Sequence, residues 1–210
     1  MFLQCYLAKV SENKDPDGLH RIRVSKTDEK ESVTDWMPVL TPFASVDAGL
    51  SSLPAVDDQV LVLSMDSRNM QMVALGSLWS TNAKPPKTGE NGDADLNSDG
   101  KNSLHFIKSR AGSMIIFDDT DGAEKIQIIA SDNKSRMEFS VADKLTSLTT
   151  ENDISVGAKG NITVAADEIS ITSKKKLNIA GDEIQIAGKK KMEVAAQQDL
   201  TLKGSGVALN

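Results

Sequence analysis

Ile162-Thr163-Val164-Ala165-Ala166-Asp167-Glu168-Ile169-Ser170-Ile171-Thr172-Ser173-Lys174-Lys175-Lys176-Leu177-Asn178-Ile179 repeats one pattern three times. Each copy is an apolar–polar–apolar triplet followed by a short link of small or polar residues. The same beat runs from Ile154 to the end of the sequence. Its apolar pairs are Ile154/Val156, Ile162/Val164, Ile169/Ile171, Leu177/Ile179, Ile184/Ile186, Met192/Val194, Leu200/Leu202 and Val207/Leu209, with a new pair every seven or eight residues. A regular short period marks a solenoid or fibre, in which one unit cannot bury its apolar face alone. Within a triplet the period is two, so each beat reads as a short strand with both apolar side chains on one face. The links, such as Gly157-Ala158-Lys159-Gly160-Asn161 and Ala180-Gly181-Asp182-Glu183, are rich in turn formers. A coiled coil has a similar period but is excluded, because residues at i and i+2 do not share a helix face.

Two architectures accommodate these beats. A single-chain parallel β-helix needs about twenty residues per coil, so the segment would supply only three thin coils. In an intertwined homotrimer, three copies wind about one axis and each beat lays a strand on one face of a triangular prism. The sixteen paired residues then form the needle core. Strand stacking at roughly 4.8 Å gives a rod of roughly 40 Å. The trimer is preferred, because a lone chain would carry an apolar stripe along its whole length.

Composition narrows the function. The 210 residues carry a net charge of −6 and only 4% aromatics. An acidic chain is a poor match for nucleic acid. Lys174-Lys175-Lys176 and Lys189-Lys190-Lys191 read as solvated strand entries, with a polyanion site as the alternative. No apolar run is long enough to span a membrane as a helix. The first residues lack the pattern of a secretory leader, so export by that route is not expected. Cys5 is the single cysteine and lies in a strand-like run, which suggests a small buried hydrophobe.

Residues 1–80 read as a small all-β barrel of the OB type. Its strands are expected at Phe2–Val10, Leu19–Val24, Trp36–Leu40, Val60–Ser64 and Met72–Leu78, with residues 41–58 looping over it. Trp36 and Trp79 would plug its core or a subunit seam. Residues 81–103 read as a linker. Within it, Asp95, Asn97, Asp99 and Gly100 match the first half of a calcium loop, but Phe106 stands where its final Glu is required. An ordinary polar loop is the simpler reading, a weak cation site the alternative. Residues 104–148 form a transition of strands, and residues 149–210 the β-helix. The two histidines, His20 and His105, lie in different segments, and there is no nucleophile elbow, metal-spaced Cys/His cluster or phosphate loop. No enzyme, metal or cofactor is expected.

Three stretches carry a family resemblance. Leu53-Pro54-Ala55-Val56-Asp57-Asp58-Gln59-Val60-Leu61-Val62 resembles a Leu-Pro-x-x-Gly-Asp-x-Val-Leu-Val stretch, with Asp57 where the family has Gly. Ala74-Leu75-Gly76-Ser77-Leu78-Trp79 followed by Pro85-Pro86 resembles a Gly-Ser-Leu-Trp ending. Lys108-Ser109-Arg110-Ala111-Gly112 and Phe117-Asp118-Asp119-Thr120-Asp121-Gly122-Ala123-Glu124-Lys125-Ile126 look like a junction into a needle. Together they resemble VgrG, the spike of type VI secretion systems, and its relatives in phage tails and other contractile injection machines. The resemblance covers residues 18–210.

It implies a homotrimer with an OB-fold domain feeding a triple-stranded β-helix. Such a spike sits on the hub and Hcp-like tube of the baseplate and is driven through a target envelope when the sheath contracts. Effectors are possible riders. Larger members carry a hub domain before the barrel; here either a separate protein supplies it or this sequence omits it. No histidine follows His105, unlike the iron-holding apex of some phage spikes. Val207, Ala208, Leu209 and Asn210 are therefore expected to form a blunt tip that binds a PAAR-type cap. A trimeric fibre or adhesin stalk is the alternative to a spike.

Overall fold

The computed structural model describes residues 3–26, 32–65, 71–89 and 92–208, the side chains of 92–94 excepted. Phe2, Leu209 and Asn210, named above, lie outside the described residues. The chain divides into two compact units, Met1–Ser155 and Val156–Asn210.

The first unit begins with a five-stranded barrel. Its strands are β1 (Gln4–Glu12), β2 (Arg21–Lys26), β3 (Met37–Pro38), β6 (Gln59–Ser64) and β7 (Met72–Ser77), paired antiparallel in the order β3-β2-β1-β6-β7. The two edges meet through a parallel bridge, Val39 with Ala74, and the Leu40 N–H donates to Ala74 O at 2.7 Å. An antiparallel run closed in this way is a nearly complete Greek-key barrel of the OB kind. Alternation builds the core. Ala8, Val10, Ile22, Val24, Met37, Val60, Val62 and Ala74 are buried and pack as one cluster. The predicted strands are present, although the one around Trp36 pairs over two residues only. In the segment after β3, two-residue strands β4 (Ala44–Ser45) and β5 (Ala48–Gly49) form a small hairpin.

One expectation fails in the barrel and another is narrowed. Cys5 is exposed. Ala8 and Val10 point inward, so Cys5, three positions before Ala8, has the outward parity, as does Leu7. Of the two places expected for Trp79, the core of its own barrel is excluded, which leaves the subunit seam. Trp79 follows the end of β7 and is 65% exposed, whereas Trp36 is half-buried with the Arg23 guanidinium 5.9 Å from its ring centroid.

The turn into β2 is pinned by Asp15. Its carboxylate accepts the Asp17, Leu19 and Arg21 N–H groups and pairs with the Arg21 guanidinium at 2.7 Å. The Arg21 side chain holds the Asp15 carboxyl well below the usual carboxylate range. Asp57 adopts a left-handed φ of +76°, a conformation glycine takes at no steric cost. That bend thus keeps a glycine-like backbone with an aspartate on it. Its N–H donates to Val10 O, and its carboxylate meets Lys9 Nζ at 2.7 Å.

After a short 3-10 turn at Gly92–Asn97, a second sheet follows: β8 (Leu104–Lys108), β9 (Met114–Asp118), β10 (Lys125–Ile129), β11 (Ser135–Ser140) and β12 (Leu145–Thr150). It is a plain antiparallel meander in sequence order. Met114, Ile116 and Ile129 are buried on one side, with Leu104 and Phe106 packed against them.

The second unit has no ladder of its own among the described residues. Its backbone bends at 159–160, 167, 174–175, 182, 189–190, 197–198 and 205, with extended chain between. Each bend falls in a link between two apolar pairs, as the turn composition of the links predicts.

Candidate assembly interface

The residues expected in the needle core are brought to no core within one chain. Ile154, Ile162, Ile169, Leu177, Ile184, Met192, Leu200 and Val207, the first members of the eight pairs, are 50–57% exposed. The second members Val156, Val164, Ile171, Ile179, Ile186, Val194 and Leu202 are more open still, at 59–73%. Ile186 and Val194, for instance, are 68% and 59% exposed on the single chain, part of the open apolar stripe expected of a lone copy. The physical reason is the shortness of the beat. A triplet ends in a bend before a second strand of the same chain can lie against its apolar face. Of the expected tip, Val207 and Ala208 are exposed too. Burying a Val, Leu or Ile side chain contributes about 1.5–3 kcal/mol. A run of such residues held open is therefore a surface awaiting cover.

A second open apolar surface was not foreseen from the sequence. Cross-strand registers align Ile107, Ile115, Ile128, Met137 and Leu148 in one row across all five strands of the second sheet. Phe117, Ile126 and Phe139 lie in the adjacent row. Every one of them is exposed. The opposite side carries the buried residues, and Lys108 Nζ on that side donates to Lys87 O at 2.6 Å. The signal was present in Met114-Ile115-Ile116-Phe117. A strand that is apolar at both parities is built to be covered on both faces.

The junction stretch makes the first two hairpins of this sheet. Ser109 to Ser113 turns β8 into β9: Ser109 Oγ accepts the Ser113 N–H, and Gly112 takes φ +102° where a side chain would be strained. In the next turn the buried Asp118 accepts the Thr120 N–H at 3.0 Å and faces its cross-strand partner Lys125, with Nζ at 3.9 Å. These residues thus serve hairpin geometry. Arg110, in the first turn, reaches Asp58 of the barrel at 3.8 Å. Beside that contact is an open groove of about 620 Å³ lined by Leu53, Pro54, Leu78, Trp79 and Pro86.

The half-calcium loop has another use. The buried Asp95 carboxylate accepts the Thr88 N–H and hydroxyl and the Gly89 N–H at 2.5–2.8 Å. Burial opposes its charge, but these hydrogen bonds, with Lys87 nearby, leave the carboxyl more acidic than usual. Asn97 Oδ1 accepts the Asn102 N–H, and Asp99 Oδ1 accepts the Lys101 N–H. All three side chains are thus committed to fixing the loop backbone. Among the described residues no group of three or more His, Cys, Asp or Glu side chains gathers as a metal site. His20 and His105 remain apart, the former against Ser51 Oγ at 3.3 Å and the latter on the exposed face of β8.

No curated protein matches the chain. Residues 6–79 match the type VI secretion system/phage-baseplate injector OB domain, a likeness confined to the barrel that supports a general structural role in an injection system.

Proposed function

We propose that the chain is the central spike of a contractile injection machine, active as a homotrimer whose residues 149–210 wind into a triple-stranded β-helix. The observation that carries this reading is the exposure of every described apolar pair in a chain whose residues 6–79 match an injector barrel. In the assembled needle the pairs, Ile186 and Val194 among them, point to the axis and the link residues face water. Axial load is then borne by stacked backbone hydrogen bonds and a dry aliphatic core. Wound copies also separate slowly, because separation breaks every turn. The open face of the second sheet supports the same assembly, since three such faces would cover one another. Catalysis has no part in this role.

The spike would stand on the hub and Hcp-like tube, assemble in the cytoplasm and cross the target envelope on contraction. Val207 to Asn210 would seat a PAAR-type tip protein. Mass measurement of the full chain in solution tests the reading: a trimer is expected, and a monomer at micromolar concentration overturns it. Failure of a trimer to bind PAAR proteins of its own system would remove the tip assignment alone. A fibre or adhesin stalk is less favoured, because the matched domain is an injector barrel.

A further inference from the structure

The apolar beats are nearly alike, so a needle core made of them is almost as well filled when one copy slips by a beat. The links are not alike. In order they contain Glu151/Asp153, Lys159, Asp167/Glu168, Lys174–Lys176, Asp182/Glu183, Lys189–Lys191, Asp199 and Lys203. Their sign alternates without exception: acidic, basic, acidic, basic, through all eight links. The structure places backbone bends within these links and leaves their residues exposed.

Within one copy this alternation has little electrostatic consequence. Consecutive links are separated by a beat, at most about 25 Å of extended chain. Even half that distance exceeds the Debye length of about 8 Å at physiological salt. Among the described residues the ion pairs of the links are Glu151 with Lys134 of the preceding sheet, at 3.1 Å, and Lys191 with Glu193 of its own adjoining beat; neither joins one link to the next. Solubility alone would be served by any mixture of charges, and a polyanion site would not place acids between its lysines.

Between copies the alternation has a definite effect. This step rests on the trimeric reading above. Three copies related by 120° each lay one beat per face. Link n of one copy and link n+1 of the next then meet on the same prism edge, about 4.8 Å apart along the axis. Every neighbour on an edge therefore comes from another copy and bears the opposite sign. A slip of one copy by one beat sets acid against acid and lysine against lysine. We infer that the alternating links are an intersubunit charge ladder, a surface that recognises a second copy of this chain and sets the register the apolar core leaves open.

Exchanging two links tests this at constant net charge. The chain Lys174→Glu, Lys175→Glu, Asp182→Lys, Glu183→Lys keeps the native charge but places two acidic and then two basic links in succession. A second chain inverts the sign of every link and so keeps the alternation. After refolding of the full chains at about 20 mM salt, the exchanged chain is expected to give at least a tenfold lower trimer yield than the native chain. About 1 M salt, where the Debye length falls to about 3 Å, should close most of that gap. The inverted chain should trimerise as the native one does.

Equal yields for the exchanged and native chains overturn the ladder, as does a deficit that salt does not relieve or an inverted chain that fails. A native chain that is itself monomeric sinks the trimeric reading first, so the two failures are distinguishable.

Discussion

Val60 and Val62 in the barrel alternate with polar or outward residues just as Ile169 and Ile171 do in the repeat. The barrel pair is fully covered, while the repeat pair is 51% and 71% exposed. The same binary pattern thus ends in opposite states. The long barrel strands find pairing partners within one chain, and their sheet curls until β3 meets β7 through Val39 and Ala74. Each repeat strand is only a triplet, and the chain bends before it can return to the same face. The difference teaches that a period of two specifies a face, whereas strand length and connection decide whether one chain can cover it.

The sharpest way to break this comparison is Ile171→Asp. Three carboxylates would meet in one axial layer, costing about 10 kcal/mol or more if each uncompensated buried charge costs roughly 3–5 kcal/mol. Loss of the trimer by solution mass, with the barrel still folded by near-UV dichroism, is the expected result. An intact trimer of unchanged melting temperature would mean that Ile171 faces outward. Next in size is Ile22→Ala, at a fully buried barrel position. It should cost about 2–5 kcal/mol, and its effect on barrel unfolding should not change with protein concentration. Ile169→Ala should destabilise only at concentrations where copies associate, so a dilution series separates the two regions directly.

Smaller effects come from the linker and the barrel bend. Asp95→Ala leaves three donors near Thr88 and Gly89 without their carboxylate, at a cost of about 1–3 kcal/mol for the buried unsatisfied group. The native loop should respond to acid in the same place. The folded Asp95 carboxyl is more acidic than its unfolded value of about 3.9, so its contribution is complete above that pH and fades as pH falls towards the folded value. Faster hydrogen exchange at the Thr88 and Gly89 amides below about pH 4 would register it. Smallest is Asp57→Gly. Relief of the left-handed backbone is opposed by greater freedom in the unfolded chain and by loss of the exposed Lys9 contact. Urea unfolding should therefore shift by less than about 1 kcal/mol.

Much of the barrel was legible in residues. Leu19-His20-Arg21-Ile22-Arg23-Val24 alternates after a turn, and Ile22 and Val24 are buried as that alternation requires. The parity of β1 was not legible. Cys5 and Leu7 look as suited to the interior as Ala8, and only pairing with β6 decides between them. The open face of the second sheet was missed for a related reason. Ile126 and Ile128 were readable as strand residues, but their alignment with Ile115 and Met137 depends on registers set by two successive hairpins. Asp95 looked like half of an ion loop because its spacing fits one. Its hydrogen bonds to Thr88 and Gly89 arise from a chain reversal that spacing does not encode.

By itself the sequence determined where strands and bends fall, because side-chain alternation and turn chemistry act over a few residues. It also made the repeat unable to bury its apolar pairs alone, because each triplet is too short to meet a neighbour from its own chain. Only the tertiary structure decided that the barrel closes through Val39 and Ala74, that Trp79 stays outside it, and which face of the second sheet is left open. Those outcomes depend on the accumulated twist and register of several strands, which no local stretch of residues carries.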